Sequence, residues 1–184
     1  MKLYYLDQRK MFPFKDPIEV WDERADVCYI VKTNGKLGID LFITNTHGEP
    51  IAAVKQKFPS LSPKFILKVS GEEILLTLRH RMNGEAYCTV GDNMTAEGDI
   101  YHRRYELRSG DKTVAYVRRT VFSKGQIDPT YIALCKKMKV SENIYNDGNC
   151  CELEILSEAE EIKLLAIAVA VEAAIIISNN NCYN

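Results

Sequence analysis

What the chain lacks narrows its chemistry first. Its six cysteines include no C-x-x-C pair, and the adjacent Cys150 and Cys151 do not have a metal spacing, so a cysteine-built metal centre is not expected. The three histidines, His47, His80 and His102, are scattered, and His47 precedes Gly48 in a predicted turn as a solvated side chain. There is no G-x-S-x-G elbow, no Walker loop and no G-x-G-x-x-G, which removes the usual routes to hydrolase and nucleotide chemistry. Neither sign of charge dominates: 24 basic residues face 25 acidic ones, for a net charge of −1, unlike a protein that is basic overall to bind nucleic acid. The amino terminus lacks the apolar core of an export signal, because Asp7 and Arg9 arrive too soon. The expectation is therefore a cytoplasmic protein with reduced thiols at Cys28, Cys88, Cys135, Cys150, Cys151 and Cys182. Acidic neighbours Asp147, Glu152 and Glu154 argue against a reactive thiol at Cys150 or Cys151. With 46% hydrophobic and 27% charged residues, the composition is that of a globular chain, expected to form one domain over 1–184.

One long apolar run is present. The spacing predicts a helix over about 158–178, with Ser157 and Glu160 forming a capping box and Glu158, Glu160 and Glu161 complementing the helix dipole. From Leu164 to Ile177 only Glu172 interrupts the apolar residues. A helix apolar on every side must be enclosed. Protein rather than lipid is the expected enclosure, since the run falls short of the roughly 20 residues that span a bilayer and carries a carboxylate. No transmembrane span is expected. Glu172 is expected at a barrel mouth or paired with an inward Arg or Lys, and Ala168 is expected in the interior.

Before this helix, short apolar or alternating segments recur with turn residues between them, the pattern of an all-β sandwich or barrel. Twelve strands are predicted, at 3–8, 18–22, 27–32, 37–43, 51–57, 65–69, 74–81, 87–90, 95–97, 101–108, 114–122 and 131–137. Asn34-Gly35 is the best hairpin signal. The segment 139–156 reads as a loop with a short strand at 151–155.

An internal echo supports this organisation. Ile51-Ala52-Ala53-Val54-Lys55-Gln56 is similar to Val114-Ala115-Tyr116-Val117-Arg118-Arg119, and Pro63-Lys64-Phe65 to Pro129-Thr130-Tyr131. Alternation places Ala52, Val54 and Phe58 inside with Ala115, Val117 and Val121, and leaves Lys55, Lys57 and Arg118 outside. Small inward residues suit a barrel already filled by a helix, and closure removes free sheet edges.

The run Leu164 to Glu172, together with Ala53-Val54-Lys55-Gln56-Lys57 through Ser62-Pro63-Lys64-Phe65, Glu97-Gly98-Asp99, Tyr105-Glu106-Leu107-Arg108 and Val114-Ala115-Tyr116-Val117, resembles the LURP-one-related family over nearly the whole chain. The resemblance implies the tubby C-terminal-like fold, a mainly β, closed twelve-stranded antiparallel barrel around a central hydrophobic C-terminal helix, shared with tubby proteins and phospholipid scramblases. The chain has neither the scramblases' Pro-rich arm nor their cysteine-rich acylation stretch, and tubby's phosphoinositide contacts find no match, so no binding residue is carried over. These motifs identify a fold, not an activity.

The basic residues supply the functional expectation. Lys55, Lys57 and Lys64 form one cluster and Arg118 with Arg119 another, and residues two apart on a strand project from one side. Such groups attract anionic lipid headgroups. The expected function is a non-enzymatic cytosolic binding protein without cofactor, recognising anionic membrane lipid such as phosphoinositide. The alternative is a regulatory or scaffolding module for a protein partner, with no lipid ligand and no nucleic acid.

Overall fold

The computed structural model describes residues 1–7, 17–34, 38–120 and 150–181. Its strands follow the alternation read above: β1 (Lys2–Asp7), β2 (Ile18–Asp22), β3 (Val27–Thr33), β4 (Asp40–Asn45), β5 (Pro50–Gln56) and β6 (Lys64–Val69), then β7 (Glu72–His80), β8 (Ala86–Val90), β9 (Met94–Asp99), β10 (Arg104–Ser109), β11 (Lys112–Thr120) and β12 (Cys150–Ile155). Each pairs antiparallel with its neighbours, and β1 pairs with both β2 and β12, closing a twelve-stranded barrel. Ser70 and Gly71, with φ of 53° and 81°, supply the left-handed pair that a two-residue hairpin between β6 and β7 demands.

Three sequence expectations change. The segment 131–137 and the glycine of the Asn34-Gly35 turn lie outside the described residues, and the twelfth strand is β12, read above as a short strand in a loop. The strand expected from Tyr101 begins at Arg104 instead, because Tyr101 to Arg103 make a turn in which Arg103 takes a φ of 58°. The capping box does not form: Ser157 makes no side-chain cap bond, and Glu158–Glu160 wind into a 3₁₀ turn before helix α1 (Glu161–Asn181). The Glu160 carboxylate reaches forward to Lys163 at 3.6 Å, while its backbone N–H donates to Ser157 O at 3.2 Å.

The helix, about 32 Å long, occupies the lumen. Every residue from Leu164 to Ile175 is buried, Ala168 and Glu172 included. An eight-stranded barrel is filled by its own side chains, whereas twelve strands enclose more than they can fill. An alanine-rich helix meets that need: Ala166, Ala168, Ala170, Ala173 and Ala174 keep it slim, opposite inward Ala52, Ala96 and Ala115. Larger wall residues such as Leu41, Phe65, Leu67, Leu76 and Leu107 pack in the same core. Outside the lumen, Tyr5, Trp21, Ala25 and Cys150 form a second buried cluster, since Tyr5 points opposite to Tyr4 and Leu6.

Candidate functional site

Antiparallel order gives the barrel two distinct ends. The turns after β2, β4, β6, β8 and β10 share one end with the start of the helix, called here the entry end. The turns after β5, β7 and β9 lie at the far end with the helix carboxy terminus.

At the entry end the helix is clasped through Glu161. Its carboxylate accepts from the Tyr4 hydroxyl at 2.5 Å, from the Tyr29 hydroxyl and from Lys2 Nζ. Burial alone would raise the Glu161 carboxyl, but the bonds from Lys2, Tyr29 and Tyr4 outweigh it and hold it below the usual glutamate range. Burial, and next the bond to Glu161, push both tyrosines well above theirs. Exposed acids crowd this end, with Glu49, Glu72, Glu73, Asp92 and Asp111 on or beside the hairpin turns. Lys163 pairs with Glu72 at 3.5 Å and Lys68 with Glu73 at 3.7 Å.

At the far end the helix is held by a different device. Arg103 Nε donates to Glu172 Oε2 at 2.7 Å, while Glu172 Oε1 is buried with no hydrogen bond among the described residues. Burial raises the Glu172 carboxyl, and Arg103 only partly offsets it. The Tyr105 hydroxyl is likewise buried without a hydrogen bond among the described residues. Further out, Ser178 Oγ meets the Tyr101 hydroxyl at 2.9 Å, which meets His80 Nε2 at 2.6 Å.

The candidate basic residues divide between opposite walls. Lys55 lies near the end of β5, Lys57 just beyond it and Lys64 begins β6, whereas Arg118 and Arg119 lie on β11, six strands from β5 in either direction. Arg118 is engaged with Glu152 at 3.6 Å, Glu154 at 3.1 Å and the Tyr116 ring at 5.1 Å. The Arg119 backbone N–H donates to Arg103 O at 2.7 Å, tying β11 to the turn that carries the Glu172 partner. Over Gly98 the outer wall has a depression of ≈ 490 Å³ between Arg104, Tyr116 and Arg118. Only glycine fits there, because its φ is +128° and a Cβ would sit 2.6 Å from Arg104 O. Acidic Glu97 and Glu106 share that depression, so its charge is mixed.

The lysine corner is different. Lys57 N–H donates to Lys64 O at 2.8 Å, so the two residues oppose each other across the strands, and both project outward with Lys55. None of the three forms an ion pair with a described residue. Like charges placed directly opposite repel. The corner therefore has an electrostatic reason to hold an anion.

Sequence reasoning misplaced one neighbour of this corner. Alternation put Phe58 inside with Ala52 and Val54, but β5 ends at Gln56, and Phe58 is 62% exposed in the turn, its ring edge against Gly38. Leu61, fully exposed, was also missed. Its signal was an apolar residue inside Pro59-Ser60-Leu61-Ser62-Pro63, where turn residues alone were expected. Cys88 is an interior thiol raised by burial to about 12, inert at neutral pH. Among the described residues no group of histidines, cysteines and acids is arranged for a metal, and no helix is long and apolar enough to cross a membrane.

The profile of the LURP-one-related family matches residues 4–133. The chain belongs to the LURP-one-related family. It is also similar to a Bacillus subtilis (strain 168) protein named uncharacterized protein YxjI, 22% identical over 169 residues that cover 90% of this chain and 89% of the relative. A solved X-ray structure of a protein from Arabidopsis thaliana shares the fold of this LURP-one-related barrel, with a TM-score of 0.51 at 12% identity, covering 90% of this chain and 88% of that one. These likenesses carry family and fold, and neither name states an activity.

Proposed function

We propose that this LURP-one-related barrel is a non-enzymatic cytoplasmic protein that recognises anionic membrane lipid, phosphoinositide among its headgroups, through Lys55, Lys57 and Lys64. One observation carries the reading: Lys57 faces Lys64 across the strands, neither in an ion pair with a described residue, beside Lys55 on the same outer face, whose cross-strand neighbour is Asp40. A headgroup phosphate between the ammonium groups replaces repulsion with attraction.

The test is co-sedimentation with vesicles of phosphatidylcholine alone and with vesicles that also contain phosphatidylserine or a phosphoinositide, at low and physiological salt. Binding that requires the anionic lipid, weakens with salt and falls about a hundredfold when Lys55, Lys57 and Lys64 become alanine supports the reading. Absence of binding at both salts removes it.

The scaffolding alternative draws on the exposed apolar residues Phe58, Leu61 and Met82, which suit a protein partner as well as a lipid. It gains ground if vesicles are ignored and these side chains are protected in a stable protein complex.

A further inference from the structure

The turn that follows the lysine corner has the chemistry of a membrane probe. Residues 57–63 connect β5 to β6 at the far end, and this turn exposes Phe58 and Leu61 to solvent. The next hairpin at the same end, between β7 and β8, carries Met82, also fully exposed. Three large apolar side chains thus stand exposed at one end of the barrel, on adjacent hairpins, Leu61 and Met82 clear of every described residue and Phe58 resting only a ring edge against Gly38.

Their backbone is suited to leaving water. Pro59 and Pro63 have no N–H to desolvate. Ser60 Oγ donates to Ser62 O at 2.6 Å, closing the turn beneath Leu61, and the Pro63 carbonyl accepts from Leu78 N–H at 3.0 Å. Each donor that is missing or already bonded is one fewer polar group to strip of water on entering an interface.

Charge fixes the occupant. Lys57 and Lys64 stand at the base of the turn, with Arg79 at the base of the Met82 hairpin, where anionic headgroups would lie once the apolar tips entered the interface. The opposite end presents Glu49, Glu72, Glu73, Asp92 and Asp111. An anionic surface therefore attracts one end of the barrel and repels the other.

We infer that the barrel docks end-on to an anionic bilayer, with Phe58 and Leu61 entering the interface and Met82 supporting them. This rests on the lipid reading of the lysine corner and adds a mode of attachment, which a headgroup contact alone does not require.

The test uses the full chain with Leu61→Trp. Trp21, the native tryptophan, is buried away from this turn, so the added indole reports on the loop. On vesicles of phosphatidylcholine and phosphatidylserine, its emission is expected to shift to the blue and to be quenched when the phosphatidylcholine acyl chains are brominated. In the otherwise native chain, Leu61→Asp and Phe58→Asp are each expected to lower vesicle partition about tenfold without moving the thermal transition, since both side chains are exposed. If Leu61→Trp protein sediments with the vesicles but its emission is neither shifted nor quenched, insertion is overturned and the headgroup reading stands. If the native chain fails to sediment with these vesicles or with phosphoinositide vesicles, both fall.

Discussion

The two ends of the barrel hold the same helix by opposite means. At the entry end Glu161 is an ionised carboxylate supplied with three donors, and its acidity rises through them. At the far end Glu172 is buried more deeply, accepts a hydrogen bond from Arg103, and its carboxyl is raised by the burial. The first arrangement stabilises the ionised form and the second opposes it. Charge on the surface follows the same polarity, acid-rich beside the clasp and lysine-bearing beside the far turns. The lesson is that one helix both seals the barrel and divides it into two ends of different chemistry.

The largest effect should come from the helix segment both ends depend on. Ala168→Asp places an unpaired carboxylate in the lumen and should cost more than about 4 kcal/mol, enough to abolish cooperative unfolding. A sharp urea transition in that variant would mean the lumen is not closed around the helix. Arg103→Ala comes next, at about 3 kcal/mol by urea midpoint, because it strands Glu172 in the interior. Adding Glu172→Leu should recover most of the loss, and failure to recover it would relocate the role of Arg103 to its turn at φ 58°.

Acid should separate the ends. A carboxyl held below its unfolded value near 4.3 contributes stability above that value and loses it as pH falls through the folded one, so Glu161 favours the fold at neutral pH. Glu161→Gln should cost about 2 kcal/mol at pH 7 and remove that part of the acid sensitivity. Glu172 has the reverse sign: a raised carboxyl gives its full contribution below the unfolded value and loses it as pH rises through the folded one. Glu172→Gln should therefore remove a component that falls with rising pH. Denaturant titrations at several pH values that show the same slope change for both variants would erase the distinction between the ends.

Much of this frame was readable from residue order, for stated reasons. Alternation in Val54 and Val117 and the apolar run of α1, broken only by Glu172, are local signals, and closure follows once edges must be paired. What escaped was set by distance in space. Ser157 and Glu160 satisfy a capping pattern locally, yet the 3₁₀ turn prevents it and Glu161 takes the structural role through Tyr4 and Tyr29, which stand 157 and 132 residues away in sequence. Arg103 gave no hint of facing Glu172, because 69 residues separate them. Lys55 and Arg118 occupy matching places in the two echoing segments, and only the ring order shows their two basic clusters on opposite walls.

That division yields the smallest expected change in stability and the sharpest functional contrast. Replacing Lys55, Lys57 and Lys64 by alanine touches exposed or half-exposed side chains without ion pairs among the described residues, so thermal stability should stay within about 0.5 kcal/mol of native. Removing the repulsion between Lys57 and Lys64 even favours a slight gain. Arg118→Gln deletes two ion pairs and a stacking contact on the opposite wall, and should cost up to about 1 kcal/mol while leaving vesicle binding intact. Binding measured on both variants decides between a located corner and a diffuse basic exterior. Loss confined to the lysine variant places recognition beside the far turns. Equal loss in both would mean that only summed charge matters, and the two ends would then differ in how they hold the helix but not in what they meet.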